Sequence, residues 1–153
     1  MKLEYTMDIE RYEIQTSIKS RYFEFISSGI NGNIVKVIKY TPLKNDTNVF
    51  NLGFGDKNTE TGGLDDEVIT NNGDTDKVFA TVAFTIYEFF EEFPDAIVYL
   101  SGVTPSRTRL YQINISKFFD YISDDFEVLG ELEEGFERFK KNINYLGFAI
   151  KQK

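Results

Sequence analysis

One amphipathic helix between strand-like segments constrains the fold of this chain more than any other feature. Residues 75–93 carry apolar side chains at helical spacing, and Pro94 ends the segment because proline cannot continue a helix. Asp74 or Thr75 is a suitable N-cap, and Asp76 lies where the helix dipole favours an anion. The apolar stripe comprises Val78, Phe79, Val82, Ala83, Ile86, Phe89, Phe90 and Phe93. The opposite side carries Lys77, Thr81, Glu88 and Glu92.

Segments that read as strands precede and follow this helix. Alternation and turn residues place them at 12–16, 21–27, 34–40, 49–55, 64–70, 96–102, 126–132 and 145–150. The near-continuous apolar segment 96–102 is predicted to be a central strand. A second helix is predicted over 107–122, with Ser106 as its N-cap. This order predicts one α+β domain over residues 1–153, a mainly antiparallel sheet with both helices on one face.

The absence of cysteine and histidine excludes several classes of function. Without cysteine the chain has no disulfide, no thiolate nucleophile and no zinc–thiolate site. Without histidine it lacks the usual general base near neutral pH and the commonest ligand for transition metals. We therefore expect a protein that is not an enzyme, with no metal and no cofactor.

The charge and the hydropathy pattern limit the partners. The net charge is −8, and such a field repels nucleic acid and anionic lipid unless a local basic patch is present. No apolar run is long enough to span a membrane, and the N-terminus lacks the apolar run of a signal peptide. We expect a cytoplasmic protein.

Three sequence runs carry a resemblance to a known family. They are Asn51-Leu52-Gly53-Phe54-Gly55-Asp56, Asn71-Asn72-Gly73-Asp74 leading into Lys77-Val78-Phe79-Ala80-Thr81-Val82, and Ser106-Arg107-Thr108-Arg109-Leu110-Tyr111. In these runs the chain resembles a bacterial family of unknown function over most of its length, and the resemblance implies no activity. A likeness of topology alone links the strands-then-helix order to single-stranded nucleic-acid-binding modules of the Whirly and Pur type.

Two arginines at the start of the second predicted helix indicate an anion site. Cations there are disfavoured by the helix dipole, by roughly 0.3–1 kcal/mol each. A bound phosphate or carboxylate would explain them, held by hydroxyls, N–H groups and guanidinium groups. The predicted ligand-binding residues are Thr104, Ser106, Arg107, Thr108, Arg109 and Tyr111. The alternative is that Arg107, which falls in the apolar stripe while Arg109 points outward, pairs with Asp74 or Asp66 and only locks the helix in place.

Two further surfaces are candidates for binding. Aromatic and basic side chains of the early strands would form a nucleic-acid face if they lie on an open side of the sheet, namely Tyr22, Lys36, Lys39 and Tyr40. The alternative is that the aromatics are core and the lysines are solvated. Side chains outside the helical apolar stripes would form a homodimer or partner interface, namely Phe84, Tyr87 and Ile113.

The remaining acidic motifs favour no site. Asp56 to Glu67 imitates a calcium loop but has Thr61 where such loops need glycine. Adjacent acids such as Asp124-Asp125 are typical of a solvated surface. The sequence thus predicts a binding or regulatory domain for an anionic ligand, nucleic acid or a phosphorylated small molecule, or else a protein-interaction module.

Overall fold

The computed structural model describes residues 10–16, 20–43, 48–65 and 70–153. Within these ranges the helices are α1 (Thr75–Glu92) and α2 (Pro105–Ile122). The strands are β1 (Gln15–Thr16), β2 (Tyr22–Gly29), β3 (Gly32–Pro42), β4 (Val49–Lys57), β5 (Leu64–Asp65), β6 (Ile97–Leu100), β7 (Phe126–Leu132), β8 (Gly135–Arg138) and β9 (Phe148–Gln152). Strand pairing follows the order β1-β2-β3-β4-β6-β9-β7-β8, with β5 on β4. The α+β class and a mostly antiparallel sheet are confirmed.

Residue contacts divide the described chain into two compact units. The α1 unit lies within Met7–Thr41 and Leu52–Pro94, and the α2 unit lies within Pro42–Asn51 and Asp95–Lys153. Strand β4 passes from one unit into the other along the chain. The expectations of a single domain and of two helices on one face stay predictions.

Aromatic rings fill the core of the α1 unit. The phenol ring of Tyr40 stacks on Phe89 of α1 with the ring centroids 4.3 Å apart. Phe25 of β2 stacks between Tyr12, at 5.4 Å, and Phe54 of β4, at 6.5 Å. Offset ring pairs of this kind add to the free energy gained by burying their area, which explains how a chain without tryptophan builds this core.

Helix α1 has the predicted extent but a wider buried face. Asp74 is its N-cap residue and Phe93 follows its last turn. Thr81, expected on the solvent side, is fully buried, and its Oγ1 accepts the Tyr12 N–H at 2.8 Å while donating to Lys77 O. The segment around Tyr12 covers this side of the helix, which the periodicity of the helix alone does not reveal.

The α2 unit contains a parallel strand pair in an otherwise mostly antiparallel sheet. The first residues of β4 pair in parallel with β6, whereas β6–β9, β9–β7 and β7–β8 are antiparallel. A helix lies between β4 and β6 in the chain, and such crossovers return the second strand in the same direction. Strand β6 has a neighbour on each edge and is central, as predicted.

The predicted and the observed strand boundaries agree best where hydrophobic alternation is strong. Strand β7 has the predicted bounds, β2 is shifted towards the C-terminus and is one residue longer than predicted, and β3 extends two residues beyond the prediction at each end. The predicted strand 12–16 is paired only over β1, the last strand begins at Phe148 rather than Tyr145, and β8 was not predicted. Residues 66–69 of the predicted strand 64–70 lie outside the described residues.

Candidate functional site

Helix α2 is capped by a Thr-Pro pair. Thr104 is extended, and its Oγ1 accepts the Arg107 N–H at 3.2 Å. Pro105 takes the first helical position, where its missing N–H costs nothing and its fixed φ suits the helix. The prediction of Ser106 as N-cap is therefore wrong, because the capping hydroxyl and the helix-starting ring both come before it.

The first turn of α2 uses most of its own N–H groups. The carbonyl oxygen of Thr104 accepts the N–H groups of Arg107 and Thr108, each at 3.1 Å. Pro105 has no N–H to offer. An anion near this helix must therefore be held mainly by side chains rather than by the free N–H groups of a helix end.

Gly102 brings the chain after β6 directly against the first turn of α2. Its N–H donates to Thr108 Oγ1 at 2.9 Å. A Cβ built on Gly102 would lie 2.2 Å from the Arg107 Cβ and 2.5 Å from the Thr108 nitrogen. Only glycine permits this approach, which fixes residues 102–105 as one wall of a cleft.

The segment 142–146 forms the facing wall and is held by Gln112 of α2. The side-chain Nε2 of Gln112 donates to Ile143 O, and its Oε1 accepts the Tyr145 N–H at 3.2 Å. Asn142 has a φ of 69°, in the left-handed region, where asparagine is tolerated and the chain can turn sharply. The side-chain amide of Gln112 thus pairs with one backbone carbonyl and one backbone N–H of this segment, as an adjacent strand would.

Arg109 lies between the two walls. Its Nη1 donates to Asn144 Oδ1 at 3.3 Å. A guanidinium carries five N–H donors, so a bond to the neutral Asn144 orients the group and keeps its positive charge. The side chain is exposed, as predicted for its position on the helix.

Together these elements enclose a cleft of about 470 Å³, called here the α2 cleft. Its described lining consists of Gly102, Val103, Thr104, Pro105, Thr108, Arg109, Gln112, Asn144, Tyr145 and Leu146. This lining contains one arginine and no carboxylate, in a chain with 25 acidic residues. The α2 cleft is therefore a concave site whose described lining carries one cation and no carboxylate, in an acidic protein.

The phenol of Tyr145 does not add a charge to this cleft at neutral pH. Burial, first, and the hydrogen bond to Glu137 raise the pKa of Tyr145 above its ordinary value. Its hydroxyl donates to Glu137 Oε2 at 2.7 Å and accepts the Lys140 N–H at 3.0 Å. Arg109 is thus the charged group of the described lining.

Comparison with known families identifies the chain. A model described as a family of unknown function, DUF6934, matches residues 8–153. The chain belongs to this family. The expected membership of a family of unknown function is confirmed, whereas the bacterial origin and the topological analogy stay predictions. Neither the curated proteins nor the solved structures give a match to this DUF6934 member.

The α2 cleft brings together half of the predicted ligand-binding residues. Thr104, Thr108 and Arg109 line it. Ser106 and Arg107 are not among its lining residues, and the Tyr111 side chain is buried. Of the carboxylates considered for Arg107, Asp74 accepts hydrogen bonds from Tyr12 and Ser27, at 2.5 and 2.6 Å, and Asp66 lies outside the described residues.

The prediction of Lys36 and Tyr40 on an open nucleic-acid face is wrong. Lys36 is 1% exposed, and its Nζ contacts Asp56 Oδ1 at 2.6 Å. The Tyr40 hydroxyl shares a hydrogen bond with Thr85 of α1 at 2.9 Å. The physical reason is register, because the side chain of every second residue of β3 points into the core.

The other residues of that predicted face are more accessible. Lys39 is exposed, and Tyr22 is half-buried with its hydroxyl donating to Glu24 at 2.9 Å. Asp56, the first residue of the calcium-like loop, belongs to β4 and bonds to Lys36, while Glu67 lies outside the described residues. The predicted nucleic-acid face therefore stays a prediction for Tyr22 and Lys39 alone.

The predicted interface residues differ in their surroundings. The guanidinium of Arg11 lies over the Phe84 ring, 3.6 Å from its centroid, so one face of that ring is covered. Tyr87 is half-buried. Ile113, on α2, is 53% exposed and stays a candidate for a partner contact.

Two residues of the α2 cleft were missed by the sequence analysis. Gln112 follows Thr108 by four residues and therefore shares its helix face, so helical periodicity could have found it. Asn144 carries no local signal, because only the tertiary fold brings it to Arg109.

In the described ranges, no group of three or more acidic side chains could hold a metal ion. No helix described is long and apolar enough to cross a membrane.

Proposed function

We propose that this protein is a binding domain without enzymatic activity, which recognises a small anionic ligand in the α2 cleft. The observation that carries the proposal is the lining: one guanidinium and no carboxylate among the described residues of a concave site, in a chain of net charge −8. Concave sites with a few fixed polar groups are the usual form of small-molecule sites. We also propose that the protein is cytoplasmic.

Arg109 is expected to supply most of the recognition. A guanidinium can donate two parallel hydrogen bonds to one carboxylate or phosphate, and such charged bonds are about twice as strong as neutral ones. Hydrogen bonds to charged groups contribute about 1.5–3 kcal/mol. Removing the guanidinium should therefore weaken binding by roughly 10- to 100-fold.

The binding role, rather than catalysis, follows from the groups that line the α2 cleft. Its described lining offers hydroxyls, amides and a guanidinium, none of which is a general base near neutral pH. The sequence contains no histidine or cysteine to supply one.

The test is an amide-resolved NMR titration at low salt with acetate, inorganic phosphate and a short single-stranded oligonucleotide. We expect at least one anion to shift the amide signals of residues 102–112 and 142–146. Arg109→Gln should reduce the affinity, whereas Lys117→Gln, which removes the same charge two turns along α2, should not. Titrations in which no anion shifts these signals, or in which Arg109→Gln binds like the wild type, would contradict the proposal.

A protein-interaction module is the second candidate function. The exposed side of α2 carries Ile113, which is 53% exposed, and about two turns further Tyr121, which is 37% exposed. Large exposed apolar side chains of this kind anchor interfaces. If they form a homodimer, light scattering after size exclusion should show a dimer that Ile113→Asp dissociates and that Ile30→Asp, at the more exposed tip between β2 and β3, leaves intact. A monomer at all concentrations would exclude the homodimer.

A further inference from the structure

The walls of the α2 cleft are apolar on either side of its single cation. Val103 is 54% exposed and Leu146 is 55% exposed, and both line the cleft together with Pro105. Accessible apolar side chains at the edge of a concave site offer a contact for an apolar part of a ligand. The polar recognition by Arg109 therefore covers only one part of what this cleft can hold.

The charge of the cleft matches a monoanion. A carboxylate accepts two parallel hydrogen bonds from one guanidinium, and the two charges balance. A nucleic-acid strand carries one charge per phosphate and is held by several cations along its path. Among the described lining residues Arg109 has no second cation beside it.

Hydroxyl and amide groups near Arg109 can complete the recognition of a carboxylate. Thr104 Oγ1 accepts the Arg107 N–H, and the same hydroxyl has a proton that can donate to a ligand oxygen. Asn144 directs its Oδ1 to Arg109 and thereby fixes the guanidinium. The amide nitrogen of Asn144 is a second neutral donor at the same wall.

From these observations we infer that the ligand of the α2 cleft is a small monocarboxylate with an aliphatic body, not a phosphate ester and not nucleic acid. The carboxylate pairs with Arg109, and the aliphatic body lies against Val103, Pro105 and Leu146. The volume of about 470 Å³ is within the range of small-molecule sites. This inference rests on the proposed function and narrows its ligand to one chemical class.

The experiment compares four probes by isothermal titration calorimetry: hexanoate, acetate, hexanamide and inorganic phosphate. Each methylene buried against the aliphatic wall should tighten binding about fourfold, so hexanoate should bind well above acetate. Hexanamide has the same body without the charge and should bind at least about tenfold more weakly than hexanoate. Phosphate should bind no more tightly than acetate.

The outcomes separate the inference from the proposed function. Phosphate binding in the cleft with hexanoate no tighter than acetate would overturn the inference and leave the anion site standing. Hexanamide binding as tightly as hexanoate would overturn the proposed function itself, since the charge would then not be recognised. Failure of all four probes to bind would overturn both.

Two variants test the two halves of the cleft in the intact chain. Leu146→Ser should remove much of the preference for hexanoate over acetate and leave acetate binding unchanged. Arg109→Gln should weaken both acids by about the same factor. The matched control is Leu43→Ser, which changes a leucine of similar exposure, 50% against 55%, outside the cleft and should alter neither affinity. A preference for hexanoate that survives Leu146→Ser would contradict the assigned aliphatic wall.

Discussion

The buried ion pair of the α1 unit gives the sharpest prediction about stability. Lys36 Nζ lies 2.6 Å from Asp56 Oδ1 and also donates to Thr70 O at 2.7 Å. Asp56 in turn accepts the Thr70 hydroxyl at 2.6 Å. Lys36 is 1% exposed and Asp56 is 8% exposed, so both charges stay largely buried when the partner is removed.

The magnitudes follow from what each substitution leaves behind. Lys36→Met leaves a buried carboxylate, and Asp56→Leu leaves a buried ammonium, so each should lower the free energy of unfolding by about 3–5 kcal/mol. In the double variant neither charge remains. The main cost is then that the Thr70 hydroxyl and N–H lose Asp56 as their acceptor, which should lower the free energy of unfolding by about 1–3 kcal/mol. The double variant should therefore be more stable than either single variant.

Urea unfolding of the wild type and the three variants measures this difference. Circular dichroism and tyrosine fluorescence should give coincident transitions, which would justify a single free energy for each protein. For a chain of this length each single variant should melt roughly 6–20 °C below the wild type. Additive effects of the two single substitutions, or a cost below about 1 kcal/mol for Lys36→Met, would refute the reasoning, because exposed pairs behave in that way.

Two further predictions concern the cap of α2 and the pH dependence of stability. Thr104→Ala should destabilise the protein by about 1 kcal/mol in urea unfolding, whereas Ser106→Ala should change it by no more than a few tenths, and equal effects would contradict the assigned cap. Burial, first, and Glu24 raise the pKa of Tyr22 to about 12. Because an unfolded tyrosine titrates near pH 10, its contribution should be complete below about pH 10 and fall between about pH 10 and 12. Unfolding across that range should show a flatter pH dependence for Tyr22→Phe, with Tyr121→Phe as the exposed control, and identical slopes would contradict it.

Elements that depend on local periodicity could be predicted from the sequence. Helix α1 has its predicted extent because Asp74 precedes and Pro94 follows a long apolar stripe. Strand β7 has its predicted bounds because its alternation continues to a glutamate-glycine turn. Asn114 lies on the buried face of α2 by the same helical spacing, and its amide donates to the Leu110 carbonyl at 3.0 Å.

Features that depend on distant partners could not be predicted in this way. Lys36 reads as a solvated lysine until Asp56, twenty residues later, is brought beside it. The two-residue alternation of β3 did contain a signal, because it places Lys36 on the same face as Ile38 and Tyr40, which are both buried. The pairing partner and the buried side of Thr81 required the tertiary fold.

The sequence indicates the correct helix for the candidate site, but three of the six predicted residues do not line the cleft. The sequence predicts a site formed by Thr104, Ser106, Arg107, Thr108, Arg109 and Tyr111, which are close together along the chain. Successive helical residues point about 100° apart, so Ser106 and Arg107 lie on other sides of α2 than Thr108 and Gln112. The observed lining takes Pro105, Thr108, Arg109 and Gln112, the spacing of a single helix face. Arg109, the charged group of the described lining, shares this lining with the aliphatic Val103, Pro105 and Leu146, and for that reason the ligand proposed above is a small acid with an aliphatic body rather than a polyanion.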